Sequence, residues 1–170
     1  MSPDARLANA ETSLDRILKF FPRVDSKASF IAALDTAMLG LIAANVSFAD
    51  VLNWCIIVPA FSSSALLVIS LCFIYRCQYP NLQGGTSSLV YFQEIATRTE
   101  ATFIKEFLKT TEDDYARDIL GQVWRNSEIL KQKFAALKVS FIATGLAILP
   151  WVIILSASTY FHNALHISAQ

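Results

Sequence analysis

Asp35 stands in a stretch, residues 28–75, whose only other charged residue is Asp50. A carboxylate among apolar side chains is costly unless it meets water or a partner. Two kinds of chemistry answer that cost. Asp35 lines a water path, where a ring of carboxylates would favour cations, or it hydrogen-bonds a serine on a neighbouring helix, such as Ser70. Asn45 and Ser47 flank the same helical face, because Val46 lies 11 residues beyond Asp35, close to three turns. Ser63 and Ser70 are seven apart and share a face in the next apolar stretch, alongside Ser62 and Ser64. Small hydroxyls of this kind serve close helix packing or line a pore. The pore or gating set is therefore Asp35, Asn45, Ser47, Ser63 and Ser70.

A second set is suited to anions. Arg98, Lys105, Arg117, Trp124 and Arg125 lie in one charged stretch. Arginine grips phosphate through paired N–H donors, and an indole stacks on a base. The same charges also suit a plain solvated face. Nothing in the sequence forms a glycine-rich phosphate loop, a Ser-His-Asp set or a metal cluster, so neither catalysis nor a cofactor is expected. His162 and His166 are four apart, but two ligands do not make a zinc site. Cys55, Cys72 and Cys77 have neither metal-ligand spacing nor the arrangement of a disulfide framework.

The elements that must position these residues follow from the distribution of charge. Hydrophobic residues make up 54% of the chain and charged ones 16%, well below the roughly 25% of soluble domains. No charge occurs from Val139 to Gln170. A membrane helix needs about 20 mostly apolar residues. Three spans meet that requirement: 28–49, 52–75 and 139–160. Trp54, Tyr75, Lys138 and Tyr160 stand at their ends, as interfacial side chains do. Pro59 and Pro150 offer kinks or hinges in the second and third spans, or are static. Five of the 14 Lys and Arg precede the first span and nine lie between the second and third. The positive-inside rule then puts the N-terminus in the cytoplasm and the C-terminus outside, in a bacterial inner membrane. The first 27 residues lack the apolar core of a signal peptide.

The predicted fold is all-α. A cytoplasmic amphipathic helix occupies 1–27, with Leu7, Ala10, Leu14, Ile17, Leu18 and Phe21 as its stripe and Pro22 ending it or starting a bend. Spans one and two occupy 28–75, a cytoplasmic helical hairpin 76–138, the third span 139–160, and an outer tail 161–170. In the hairpin, Pro80, Asn81, Gly84 and Gly85 mark a loop, and a helix runs from about 87 to 109. Its inner stripe is Leu89, Phe92, Ile95 or Ala96, Thr99, Phe103 and Phe107. Thr111 with Asp114 three residues on caps the next helix. That helix has Ile119, Leu120, Val123, Ser127, Leu130, Phe134 and Leu137 as its stripe and enters the third span without a breaker. So small a hairpin buries little surface, which predicts a homo-oligomer, a tetramer with cyclic symmetry being the expected form.

These segments in this order resemble the membrane effectors of Pycsar antiphage systems. The resemblance rests on Asp25-Ser26-Lys27-Ala28 entering the first span, Asp35 within it, the Ser88-Leu89-Val90-Tyr91-Phe92 helix start, and the stretch from Gln122 to Lys133 with Ser127, Ile129 and Leu130. It covers about residues 14 to 155, and the order of the pieces carries it rather than one sharp motif. Similar small effectors serve CBASS and Hailong defences; in Hailong the signal is a short DNA oligomer and the effector behaves as a channel. The resemblance implies a partner nucleotidyltransferase or cyclase, a cyclic nucleotide or short oligonucleotide as ligand, and membrane damage or ion flux as output. It implies an oligomeric pore or ion channel gated from the cytoplasm. The alternative is a non-conducting anchor or scaffold that recruits a cytoplasmic enzyme through the hairpin.

Overall fold

The computed structural model describes residues 3–47, 53–79 and 84–168, with side chains from Asp4 through Tyr160. The turn at Asp50, Pro80 and Asn81, and the side chains of His162 and His166, lie outside the described residues. The elements are α1 (Pro3–Leu18), α2 (Phe20–Asn45), α3 (Trp54–Gln78), α4 (Phe92–Ala96), α5 (Glu100–Phe107) and α6 (Glu112–Ser168). The chain forms two compact units. One comprises residues 1–24 and 79–133, the other residues 25–78 and 134–170.

The second unit holds the apolar helical segments, and three helices of the chain are long and apolar enough to cross a membrane. Each buries a narrow seam at alternating steps of three and four. On α2 the seam in this unit is Ala28, Ile31, Asp35, Met38 and Ile42. On α3 it is Ile56, Ala60, Ser63, Leu67, Ser70, Ile74 and Cys77. On α6 it includes Leu137, Ser140, Thr144, Ala147, Ile154 and Ser158. That 3.5-residue period is the one that lets helices pack side by side as in coiled coils. Met38, Ile42, Ala60, Leu67, Ala147 and Ile154 form its apolar centre, with Trp151 packed against them.

Hydrogen bonds give the directions. Trp151 Nε1 donates to the Met38 carbonyl (3.2 Å) and Ser158 Oγ to the Asn45 carbonyl (2.7 Å), so α2 and α6 run parallel. Ser63 Oγ donates to the Ala147 carbonyl (3.1 Å) while Ser70 meets Ser140, so α3 runs against α6. The three long helices of the unit thus alternate in direction along the chain. Asn53 caps α3 by accepting from Cys55 N (3.1 Å). Both α3 and α6 stay helical through Pro59 and Pro150.

In the charged unit, α1 ends three residues earlier than expected. The ring of Pro22 conflicts with the carbonyl four residues back, that of Leu18, and α1 stops there. Pro22 itself sits in the first turn of α2, where its missing N–H is no loss. Leu18, expected on the inner stripe of α1, is exposed, whereas Ala10 is fully buried.

The single helix expected over 87–109 is two helices, α4 and α5. Thr99 takes an extended backbone and accepts from Thr102 N, restarting the helix. Phe92, placed on the inner stripe by its spacing, is exposed, because α4 is too short to turn that spacing into one face. The Thr111 cap forms as its spacing predicts: Asp114 N donates to Thr111 Oγ1 (3.2 Å), which donates to Asp114 Oδ2 (2.7 Å). The helix it starts is unbroken to Ser168. Its buried positions include Ala116, Ile119, Gln122 and Leu130; Leu120 and Phe134, two of the expected stripe, are exposed.

Candidate functional site

Asp35 is 0% exposed, on the α2 seam. Thr144 Oγ1 donates to Asp35 Oδ1 at 2.8 Å. Thr144 also meets Ser70 Oγ at 2.9 Å, and Ser70 meets Ser140 Oγ at 2.7 Å. A hydroxyl has a single proton. Since Thr144 gives its proton to Asp35, Ser70 donates to Thr144, and Ser140 donates to Ser70. The hydroxyls thus form a one-way chain, Ser140 to Ser70 to Thr144 to Asp35, that ties all three spans together. Asp35 Oδ2 is the one buried side-chain atom among those described with no hydrogen-bond partner.

The chain connects Asp35 to Ser70 through Thr144, a residue the sequence reading did not single out. Ser63 is also fully buried and serves the α3–α6 contact. Asn45 is half-buried and donates to its own helix at the Leu41 carbonyl (2.8 Å). Ser47 is exposed just beyond α2. So Asp35, Ser63 and Ser70 lie in the interior between the helices of this unit, and Asn45 and Ser47 stand apart from them.

In the charged unit, the loop before α4 is held by side chains rather than by a helix. Ser88 is buried, and its Oγ accepts from Tyr91 N (2.9 Å), Val90 N (3.1 Å) and Gln122 Nε2 (3.2 Å). Leu89 N donates to Asp118 Oδ2 (2.7 Å). Arg98 closes the loop from the other side. Its Nη1 donates to the carbonyls of Ser88 and Glu94, each at 2.9 Å, and its Nε to Glu106 Oε2 at 2.8 Å. Its side chain is 13% exposed. Arg98 is therefore committed to holding the fold.

Two clefts flank this loop. One, of about 450 Å³, is lined by Leu14, Leu18, Phe21, Tyr91, Phe92, Gln122, Arg125, Asn126 and Lys133 among others. Tyr91 and Phe92 meet edge to face, with ring centroids 5.1 Å apart. Its only charged lining residues are Arg125 and Lys133, both basic. The other, of about 430 Å³, has Arg117 and Arg125 but also Asp114 and Asp118. Arg125 borders both clefts and anchors the loop by donating to the Gly84 carbonyl at 2.7 Å. The structure thus brings together Arg117 and Arg125 of the expected ligand set. Lys105 and Trp124 line neither cleft. Trp124 is 61% exposed.

Tyr91, Phe92, Gln122, Asn126 and Lys133 lie outside the expected ligand set. They fall within the Ser88–Phe92 and Gln122–Lys133 stretches, and the fold brings these two stretches onto one cleft. Among the described residues, no group of His, Cys, Asp and Glu is placed to hold a metal ion.

No curated protein and no solved structure matches the chain. The family model described as the Pycsar effector protein domain matches residues 9–159. Pycsar effectors sit in the membrane and respond to a cyclic nucleotide signal from a partner cyclase. The match takes in the three apolar helices, the Asp35 cluster and both clefts, so this chain belongs to the Pycsar effector family, as a transmembrane effector in antiphage defence.

Proposed function

We propose that the chain forms an oligomeric pore or ion channel in the bacterial inner membrane, gated by a nucleotide ligand on its charged unit. The observation that carries the ligand half is the cleft bounded by Tyr91, Phe92, Gln122, Arg125, Asn126 and Lys133. Two basic groups suit a phosphate, aromatic rings suit a base, and two amides suit its edge. The neighbouring cleft is the poorer seat for an anion because Asp114 and Asp118 line it. The charged unit faces the cytoplasm in this reading, with the N-terminus inside and the C-terminus outside, as the Lys and Arg distribution favours.

For the pore half, the hydroxyl chain to Asp35 is read as the resting latch. One helix, α6, bears Gln122, Arg125, Asn126 and Lys133 as well as Ser140 and Thr144. Ligand binding moves α6, the Thr144–Asp35 bond parts, and the carboxylate turns toward water shared by several subunits. A single three-helix unit encloses no water path, so conduction requires a homo-oligomer; a cyclic tetramer is our working count.

Purified protein titrated with cyclic nucleotides and short oligonucleotides tests the ligand half. Arg125→Ala should weaken binding about 10-fold or more, the worth of a charge-assisted phosphate contact. Conductance in planar bilayers tests the pore half: ligand should open it, and Asp35→Asn should lower cation selectivity while leaving assembly intact. Binding without conductance under any ligand would instead favour a non-conducting scaffold. A reporter fused after Gln170 that behaves as cytoplasmic would overturn the orientation.

A further inference from the structure

Lys27 and Lys138 are the last charged residues before two of the spans. Only Asp35 is charged between Lys27 and the end of α2, and nothing after Lys138 is charged. Within the membrane-spanning unit these two lysines border one groove of about 370 Å³. The rest of its lining is apolar: Phe134, Leu137, Phe141 and Ile142. Leu137 is buried and forms the floor, while Phe141 and Ile142 are exposed. Both lysines are exposed, and neither forms an ion pair among the described residues.

We infer that this groove is a binding site for an anionic phospholipid of the leaflet on the side of the charged segments. The headgroup phosphate sits between Lys27 and Lys138, and one acyl chain lies along Phe134, Phe141 and Ile142. The pairing of groups selects this occupant. A free anion would gain from the ammonium groups but leave the exposed Phe134, Phe141 and Ile142 uncovered. An uncharged lipid or apolar helix would cover the floor and leave two cations unmatched. A lysine at a span end can reach for the interface alone; here two of them, on α2 and α6, border the same apolar groove. The inference needs only that the unit spans a membrane, and so stands apart from whether the oligomer conducts.

The test uses the full chain, purified in a mild non-ionic detergent and titrated with phosphatidylglycerol or phosphatidylcholine of identical acyl chains, with bound lipid read by native mass spectrometry. Phosphatidylglycerol should bind more tightly than phosphatidylcholine. Lys27→Gln and Lys138→Gln should each weaken phosphatidylglycerol about 5-fold, from the usual contribution of a lysine near an anionic surface. The double variant should lose the preference, and Lys27→Arg with Lys138→Arg should keep it. The single variants carry the test if the double variant fails to insert. Equal binding of the two lipids, or an undiminished preference in the Gln variants, overturns the inference. So does tight binding of glycerol 3-phosphate alone, which would make this a site for a free anion.

Discussion

The two units treat polar groups in opposite ways. In the membrane-spanning unit, two groups of hydroxyls stand out, one bonded between helices and one turned back on its own backbone. Ser63, Ser70, Ser140, Thr144 and Ser158 bond across helices. Thr36, Ser62 and Thr159 each donate to a carbonyl three or four residues earlier on the same helix. In the charged unit, a few long side chains clasp an irregular loop and leave two clefts open beside it, one largely apolar with two basic groups and two amides, the other with charges of both signs. Lipid offers no hydrogen bonds, so a segment crossing it must satisfy its polar groups internally. Water imposes no such demand, and a unit bathed in it can hold cations and amides ready for a ligand. Among the described residues, Asp35 Oδ2 is the exception inside the membrane-spanning unit, and that makes it the group there with an interaction still to gain.

The comparison breaks most readily at Arg98. It bonds two backbone carbonyls and the half-exposed Glu106 carboxylate, so Arg98→Ala should destabilise the charged unit by about 2–3 kcal/mol. Hydrogen exchange should show Val90 and Tyr91 losing protection while the spans keep theirs. If the spans loosen equally, the two units are not separate in stability, and the contrast drawn above fails.

Thr144→Val is the matching cut in the membrane unit. It keeps shape but removes the donor to Asp35 and the acceptor for Ser70. An interhelical hydrogen bond in a membrane contributes about 1–2 kcal/mol at most, so unfolding in mixed micelles should show a loss of that size. Ser62→Ala, which removes only a bond to its own helix at the Pro59 carbonyl, should change stability far less. Equal losses would mean that the cross-helix chain has no special weight.

Gly84 gives a smaller and more local effect. A β-carbon there would come within 1.8 Å of the Tyr91 ring, so Gly84→Ala must turn that ring and reshape the cleft. Nucleotide affinity should fall several-fold, with stability changed by about 1 kcal/mol. Gly121 meets nothing within 4 Å, and Gly121→Ala in mid-helix should instead gain about 0.5–1 kcal/mol. Unchanged ligand affinity in Gly84→Ala would remove Tyr91 from the site.

How far the sequence shows these features depends on how local their causes are. The three spans, the Thr111 cap and the unbroken α6 are legible because each arises from neighbouring residues: runs without charge, a Thr-x-x-Asp spacing, the absence of a breaker. The division at residues 97–99 is not, because Arg98 reads as a surface cation until its partners Ser88, Glu94 and Glu106 are known. Asp35 announces itself by composition. Its partner Thr144 does not, since the two are 109 residues apart and a threonine in a span is unremarkable by type. The cleft is legible only in part. Arg125 stands out by charge, but Tyr91, Gln122 and Asn126 acquire meaning only when two distant segments meet.

The finest test of the contrast is acid. In the charged unit, α1 begins beside the start of α6, and the Glu112 carboxyl is raised above its usual value of 4.5. The negative charge of Asp4 is the main cause, followed by a side-chain hydrogen bond with Asp4, slight desolvation and the charge of Asp113. A carboxyl raised on folding favours the folded state when protonated. Its contribution is therefore fully present below pH 4.5 and is lost as the pH rises through the raised folded value. Arg6 and Asp113, 3.4 Å apart, pull the same elements together at neutral pH, but both are exposed and screened by salt. Protection of α1 amides should thus fall as the pH rises from below 4.5 through the raised folded value, more steeply at low salt. Glu112→Gln should flatten that slope and leave the spans, whose α2–α6 contacts carry no such pair of acids, indifferent to it. A wild-type slope that survives Glu112→Gln would assign the pH response to another carboxyl and remove the Asp4–Glu112 repulsion as a property of the charged unit.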